Sequence, residues 1–247
     1  MLIDALADDH DAQAMRRHIE NDLGATVRLI VMTHGMNDHM AGLRLFPAAH
    51  ILAHRYFMHT YLSQRQRSAV DDAAFVAPTI EYSGELRFRW GRHELRLFHN
   101  PGKNMSDTVV DVPASDLVFC GDALVGNIAY IGSSAPVLID GALGRLQNLG
   151  RARVVPGHIG LLGGDAFGNA RTYLHRLGEQ VRALGNVSPE SLQTISVESC
   201  LADGLSPRPF ERKWHGRNLE VIAERRVFAV SPVRIAPGVP FFAGAFA

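Results

Sequence analysis

The pattern of apolar and polar positions predicts alternating strands and helices in the first third of the chain. Residues 25–34 (ATVRLIVMTH) form a continuous, largely β-branched run, which is typical of a buried strand. The segment that precedes it, residues 9–20, reads as a surface helix with Asp8 or Asp9 as its cap. The predicted elements are strands at 1–6, 25–34 and 49–57, and helices at 9–20, 37–46 and 58–68.

The pattern then changes to consecutive strands before helices return. Residues 79–120 contain four short β segments separated by Gly, Pro and Asn, and helices are predicted at 138–150, 168–185 and 216–226. This order predicts an α/β fold with two mixed β-sheets flanked by helices. Without a repeat or a low-complexity linker, we predict one domain over 1–247, with a core at 2–184 and a C-terminal extension at 185–247.

Composition and charge remove several classes of function. Lys+Arg and Asp+Glu both number 25 in 247 residues, and this balance argues against a nucleic-acid-binding protein. No apolar run approaches the ~20 residues that span a bilayer, so no membrane partner is expected. The N-terminus lacks a basic leader and there are only two cysteines, which predicts a cytoplasmic protein. The 12 histidines point instead toward a bound metal ion.

Residue types that bind metals follow the ends of predicted strands. The four segments concerned are VMTHGMNDH, LRLFHNPGKNMSD, LVFCGD and RVVPGH. Loops at one rim of a rigid sheet are where functional side chains are usually presented. Two of the segments contain a Pro-Gly pair, which forces a tight turn and allows the backbone to approach a bound group closely.

Taken in this order, the four segments resemble the motifs of the metallo-β-lactamase fold superfamily. The resemblance implies an αββα sandwich with a binuclear metal site between two sheets. The corresponding positions are His34, Met36, Asp38 and His39 for the His-x-His-x-Asp-His motif, Lys103 for the next histidine, Asp122 for the bridging aspartate and His158 for the last ligand. Asp4, in LIDAL, resembles an aspartate that supports the site.

Compared with the two metal positions of the superfamily motif, this chain has the residues for one position and lacks ligands for the other. The complete position consists of Asp38, His39, Asp122 and His158. The second position retains only His34, because a methionine thioether is a soft, weak ligand and a protonated lysine has no lone pair to offer. We therefore expect a single divalent ion, zinc in the first instance, with iron or manganese as alternatives.

The expected chemistry is metal-dependent hydrolysis of a small ester, thioester or lactone. Lys103 would place a positive charge near the lost metal position, and His34 would be available as a general base; Asp38 completes the predicted catalytic set. One alternative is a non-hydrolytic enzyme, a cyclase, isomerase or lyase, that acts on a carbonyl compound. The other is an inactive member of the superfamily that binds a small molecule or a partner.

The two ends of the chain raise a separate question. Members of the superfamily usually begin with a β-hairpin, whereas this sequence starts at the strand that would follow it, so the resemblance implies an αββα sandwich without this N-terminal hairpin. The apolar tail, residues 227–247, resembles such an opening segment. One hypothesis is that the tail completes a sheet of its own subunit, and a second is that it covers a sheet edge of the partner in a homodimer. The alternative is that the N-terminal part of the fold is short and that the tail packs elsewhere.

Overall fold

The computed structural model describes residues 1–64 and 68–228 of the chain, with the backbone alone at 69–71. The ten strands are β1 (Leu2–Ile3), β2 (Leu29–Val31), β3 (His50–His54), β4 (Ile80–Tyr82), β5 (Glu85–Trp90), β6 (His93–His99), β7 (Thr108–Val112), β8 (Leu117–Gly121), β9 (Arg153–Pro156) and β10 (Leu162–Gly163). The α-helices are α1 (Asp9–Arg17), α2 (Phe57–Leu62), α3 (Ala69–Ala74), α4 (Pro136–Gln147), α5 (Ala166–Ala183), α6 (Pro189–Leu192), α7 (Val197–Cys200) and α8 (Pro209–Arg225).

The strands form two sheets. The first contains four parallel strands in the order β1-β2-β3-β4, so the strand predicted near the N-terminus is present as β1, at an edge of this sheet. The second contains six strands in the order β10-β9-β8-β7-β6-β5 and is antiparallel except for the parallel pair β8–β9. Because β2 is buried on both faces, its sequence is the unbroken apolar run seen in the chain.

Three apolar clusters separate four layers. One lies between the first sheet and its helices and contains Ile30, Met32 and Phe57. A second fills the space between the sheets, with Val31 and Leu52 facing Leu97. The third packs α4, α5 and α8 against the outer face of the second sheet. This arrangement confirms the predicted αββα sandwich of two sheets flanked by helices.

The topology brings three of the predicted motifs to one rim. Asp122 directly follows β8, and Gly157 and His158 directly follow β9. Since β8 and β9 are parallel, their carboxyl ends lie at the same edge. The loop after β2 reaches this edge from the other sheet, and Thr33 O accepts a hydrogen bond of 2.8 Å from Thr108 N at the start of β7.

Several predicted elements differ in length or type. The predicted helix at 37–46 consists of two short 3₁₀ turns, Asn37–His39 and Leu43–Leu45. Helix α8 begins at Pro209, seven residues before the predicted start, because Glu211 caps it by accepting from Arg208 N at 2.7 Å. No described helix is long and apolar enough to cross a membrane. The prediction that residues 227–247 complete or cover a sheet falls mostly on residues 229–247, which lie outside the described residues.

Candidate metal centre

Close backbone packing shapes the loops that carry the candidate ligands. Gly121, the last residue of β8, has φ of 51°, and a Cβ there would overlap Thr33 Oγ1. A Cβ at Gly157 would overlap Asp122 Oδ1 and His39 Cε1. Only glycine allows the β9 turn to approach the aspartate and the histidine this closely. The predicted use of the Pro-Gly pair for close approach therefore matches the geometry at Gly157.

The structure brings the four predicted metal-binding side chains together. Asp38, His39, Asp122 and His158 each place a potential ligand atom within 4.8 Å of the others. His39 Nε2 and His158 Nε2 lie 3.2 and 3.5 Å from Asp122 Oδ1. His158 Nε2 is 3.3 Å from Asp38 Oδ2. Two imidazole nitrogens and two carboxylate oxygens suit zinc, iron or manganese.

Three of these ligand atoms are buried and have no hydrogen-bond partner. They are His39 Nε2, Asp122 Oδ1 and His158 Nε2. Unpartnered polar atoms at this depth are costly, and three that converge on one point indicate a site for a cation. The residues present therefore fit a divalent metal ion.

Asp4 fixes the ring of His39 for this purpose. Its Oδ2 accepts from His39 Nδ1 at 2.8 Å, so Nε2 is the ring nitrogen directed at Asp122 and the one that would bind a metal. Burial alone would lower the pKa of His39, but the charges of Asp4 and Asp122 outweigh it and raise the pKa well above its usual range. The position beside Nε2 therefore attracts positive charge. A carboxylate behind a metal-binding histidine is a common orienting arrangement.

Thr33 orients His34 in the same way. The Thr33 hydroxyl donates to Asp4 Oδ2 at 2.7 Å, so it accepts from His34 Nδ1 at 2.9 Å. This leaves a lone pair on His34 Nε2, which is buried, unpartnered and 3.7 Å from Asp122 Oδ2. Thr33 directly precedes His34 in the sequence, but nothing in the pattern distinguished it from an ordinary strand residue.

Lys103 lies at the site and binds its aspartate. Its Nζ donates to Asp122 Oδ2 at 2.5 Å, and both side chains are almost fully buried. Burial would lower the pKa of Lys103, but the charge of Asp122 outweighs it and raises the pKa above its usual value. Burial would likewise raise the pKa of Asp122, yet Lys103 holds it well below its usual range. The pair is thus an ammonium and a carboxylate, and Lys103 has no lone pair for a metal.

Aromatic side chains from the C-terminal extension border the site. The Phe210 ring centroid lies 5.5 Å from that of His158, and Trp214 follows at 5.9 Å from Phe210. Tyr130 packs against Trp214 at 4.5 Å, and its ring lies 5.3 Å from Lys103 Nζ. The contribution of helix α8 was missed, because only the tertiary structure brings residues 210–214 to His158.

The cluster faces solvent through two of its members. The side chains of Asp38 and His158 are 43% and 25% exposed, whereas those of His39 and Asp122 are nearly inaccessible. A cavity of about 330 Å³ opens on them between β1, α1 and the β8–β9 edge. Among its described lining residues are Asp38, His39 and His158, but neither His34 nor Lys103. Those two lie behind the ligand cluster.

The remaining histidines of the rim lie apart from the cluster. His54 is buried and stacks on His99 at a centroid distance of 3.8 Å. His99 Nε2 donates to Met105 O at 2.8 Å. Burial, followed by the charges of His99 and Arg55, lowers the pKa of His54 to about 4. His54 is therefore a neutral, buried ring.

Comparisons with known proteins agree with the fold. A double mutant of the sec-alkyl sulfatase PisA1 is 16% identical over 97% of this chain and 48% of its own, with a TM-score of 0.66. The stereoselective inverting sec-alkylsulfatase Pisa1 from Pseudomonas sp. gives 15%, the same coverages and 0.65. A metallo-beta-lactamase from Pontibacter korlensis is 17% identical over 67% of this chain and 78% of its own, with a TM-score of 0.56.

These identities establish the fold alone, and the chain spans about half the length of the alkylsulfatase structures. A search of curated proteins found no match. The model of the metallo-beta-lactamase superfamily matches residues 1–158, which include every predicted metal-binding position. The chain therefore belongs to the metallo-beta-lactamase superfamily.

Proposed function

We propose that the protein is a metal-dependent hydrolase of a small ester, thioester or lactone that uses one divalent ion, with zinc the first candidate. The observation that supports this most directly is the convergence of three buried, unpartnered ligand atoms beside the exposed carboxylate of Asp38. A divalent ion held there would supply a Lewis acid that polarises a carbonyl group and lowers the pKa of water. The cavity that opens on Asp38 and His158 gives a substrate a direction of approach.

Asp38 is the carboxylate best placed to handle a proton at the cavity. Burial would raise its pKa, but the nearby ring of His158 and the charge of His39 outweigh it and lower the pKa. Asp38 is therefore ionised at neutral pH while remaining in contact with solvent. A positioned carboxylate that reaches water is suited to accept a proton during attack on a carbonyl carbon.

Lys103 and His34 lie next to Asp122 and do not line the cavity. Lys103 supplies one positive charge at Asp122, about where the superfamily motif would place a further metal. This charge keeps the aspartate ionised and offsets negative charge that develops at the centre. The lone pair of His34 Nε2 provides a proton acceptor within the same group. Because neither residue lines the cavity, we propose that both act on a substrate through Asp122 rather than by direct contact.

The test is turnover of esters, thioesters and lactones by metal-reconstituted protein, with an alkyl sulfate added because the similar structures include alkylsulfatases. We expect hydrolysis that is lost on chelation and in His158→Ala, but retained in His175→Ala, which changes an exposed histidine of α5. In ¹⁸O-labelled water, one labelled oxygen should enter the acid product. Turnover without label would indicate cyclase, isomerase or lyase chemistry instead. Failure to bind metal would indicate a binding protein.

A further inference from the structure

A second cavity is adjacent to the one at the metal centre. It has a volume of about 390 Å³ and shares the lining residues Leu2, Ile3 and Phe119 with the first cavity. We call the two together the β1-edge groove, because residues of strand β1 line both. Asp38 and His158 line the first cavity, and Trp90 lines the second. Each part lies within the range of roughly 300–1,000 Å³ that is common for ligand pockets.

The chemistry of the groove changes along its length. The polar groups Asp38, His39 and His158 lie at one end. The walls beyond them are mainly aliphatic and aromatic: Leu2, Ile3, Met15, Phe119, Val155, Leu95, Val112, Leu117 and Trp90. No lysine or arginine is present among the described residues that line it. An apolar chain would be stabilised along these walls.

Hydrogen bonds hold the wall of the groove to the metal-binding turn. Ala5 N donates to His39 O at 2.8 Å, and Leu6 O accepts from Ala41 N at 3.1 Å. Leu6 has φ of 67°, a left-handed conformation that is unfavourable for a bulky side chain. Such strain persists where surrounding contacts enforce it, often beside a binding site. The first part of the groove is therefore shaped by the same turn that carries Asp38 and His39.

We propose that the β1-edge groove binds the long apolar chain of an acyl ester or thioester, with the carbonyl group at Asp38 and His158. This inference rests on the proposed hydrolase function and narrows its substrate class to amphipathic acyl compounds. Two observations support it: the mainly apolar walls of both cavities, and the three lining residues that the second cavity shares with the cavity at the metal centre.

Kinetics provide the first test, with p-nitrophenyl butanoate and p-nitrophenyl decanoate as substrates of the metal-reconstituted full chain. Burial of the longer chain should raise kcat/KM for the decanoate about tenfold or more over the butanoate, mainly through a lower KM. Ile3→Trp, at a residue shared by both cavities, and Ala7→Trp, at the first cavity, should lower this ratio about tenfold. Leu23→Trp, at an exposed leucine outside the groove, should leave it unchanged.

Binding provides a second test that needs no turnover. The full chain should enhance the fluorescence of the neutral dye Nile red, and methyl nonyl ketone should displace the dye while butanone should not. Ile3→Trp and Ala7→Trp should weaken dye binding about tenfold, with circular dichroism confirming that each variant is folded. If the dye binds in this way but none of the esters is hydrolysed, the proposal that the groove binds apolar chains would stand and the proposed hydrolase function would be rejected.

Two results would overturn the proposal. The first is hydrolysis with no chain-length preference. The second is absence of ketone-sensitive dye binding to the full chain. Dye binding that disappears as the protein concentration rises would assign the groove to a second copy of the chain instead.

Discussion

Lys103 Nζ and Asp122 Oδ2 lie 2.5 Å apart, in a pair that is almost completely buried. The pair joins the loop after β6 to the end of β8 and leaves the other oxygen of Asp122 facing His39 and His158. One carboxylate thus separates a protein cation on one side from a candidate metal position on the other. A lysine in place of a histidine is therefore compatible with an intact site for one ion.

Breaking this pair should destabilise the protein. Lys103→Met removes the charge and leaves the carboxylate of Asp122 buried, which typically costs about 3–5 kcal/mol. The double variant Lys103→Met/Asp122→Asn removes both charges, so we expect it to lose less stability than the single variant. Urea unfolding of the metal-free proteins measures both values. An equal decrease in the free energy of unfolding in the single and double variants would show that the charges of Lys103 and Asp122 do not stabilise each other.

Restoring two histidines should restore a second metal position. The natural chain should bind about one equivalent of zinc, because Met36 and Lys103 replace two ligands of the superfamily motif. The double variant Met36→His/Lys103→His should bind about two equivalents, with His34 completing the added site. Mass spectrometry of metal content after dialysis measures the stoichiometry. A natural chain that already holds two equivalents would contradict the one-ion proposal.

Removal of the charge behind His39 should weaken metal binding. Asp4→Asn keeps the size of the side chain but removes the carboxylate that accepts from His39 Nδ1 and from Thr33. Loss of such an orienting carboxylate typically costs 10–100-fold in metal affinity. Titration calorimetry with zinc should show a loss of about this size. The matched variant Asp203→Asn, at an exposed aspartate paired with Arg176, should bind zinc as the natural chain does.

A single methyl group at Gly157 should disrupt the centre. In Gly157→Ala the added Cβ would overlap Asp122 Oδ1 and His39 Cε1, so the turn or the ligands must move. We expect zinc affinity to fall at least about tenfold, because ligand atoms that are displaced from their positions bind a metal ion poorly. Gly141→Ala is the control, because its Cβ would meet only Arg145 Nη1, at 3.6 Å. Unchanged zinc affinity in Gly157→Ala would argue against the site.

His54 should make stability depend on pH between about 6.5 and 4. Burial lowers its pKa from 6.5 to about 4, so the unfolded chain takes up the proton first as pH falls. The neutral ring therefore contributes no penalty above pH 6.5, and stability is lost as pH falls toward 4, by up to ~3 kcal/mol. Unfolding of wild type and His54→Gln at neutral and acidic pH measures this difference. His50→Gln, at an exposed histidine, should retain the wild-type pH dependence.

Local sequence determined the strands and the order of the motifs. The run at 25–34 predicted a buried strand because its β-branched residues are packed on both faces, as β2 shows. Asp8 predicted the start of α1, and its side chain accepts from Asp11 N at 2.9 Å. Asp38, His39, Asp122 and His158 could be singled out because each follows a predicted strand and matches a position in the motifs of the superfamily that the chain resembles. These features depend on neighbours in the chain, so the chain itself reveals them.

Other features depend on residues far apart in the chain. The ion pair of Lys103 with Asp122 was not implied by the turn in which Lys103 lies, because it forms only when the loop after β6 meets the end of β8. The contact of Phe210 with His158 requires helix α8 to pack across the second sheet. The β1-edge groove exists only because two sheets face each other beside an edge strand. Sequence thus determined which residues could bind a metal ion, while tertiary packing decided their burial, their charge partners and the side from which a substrate reaches them.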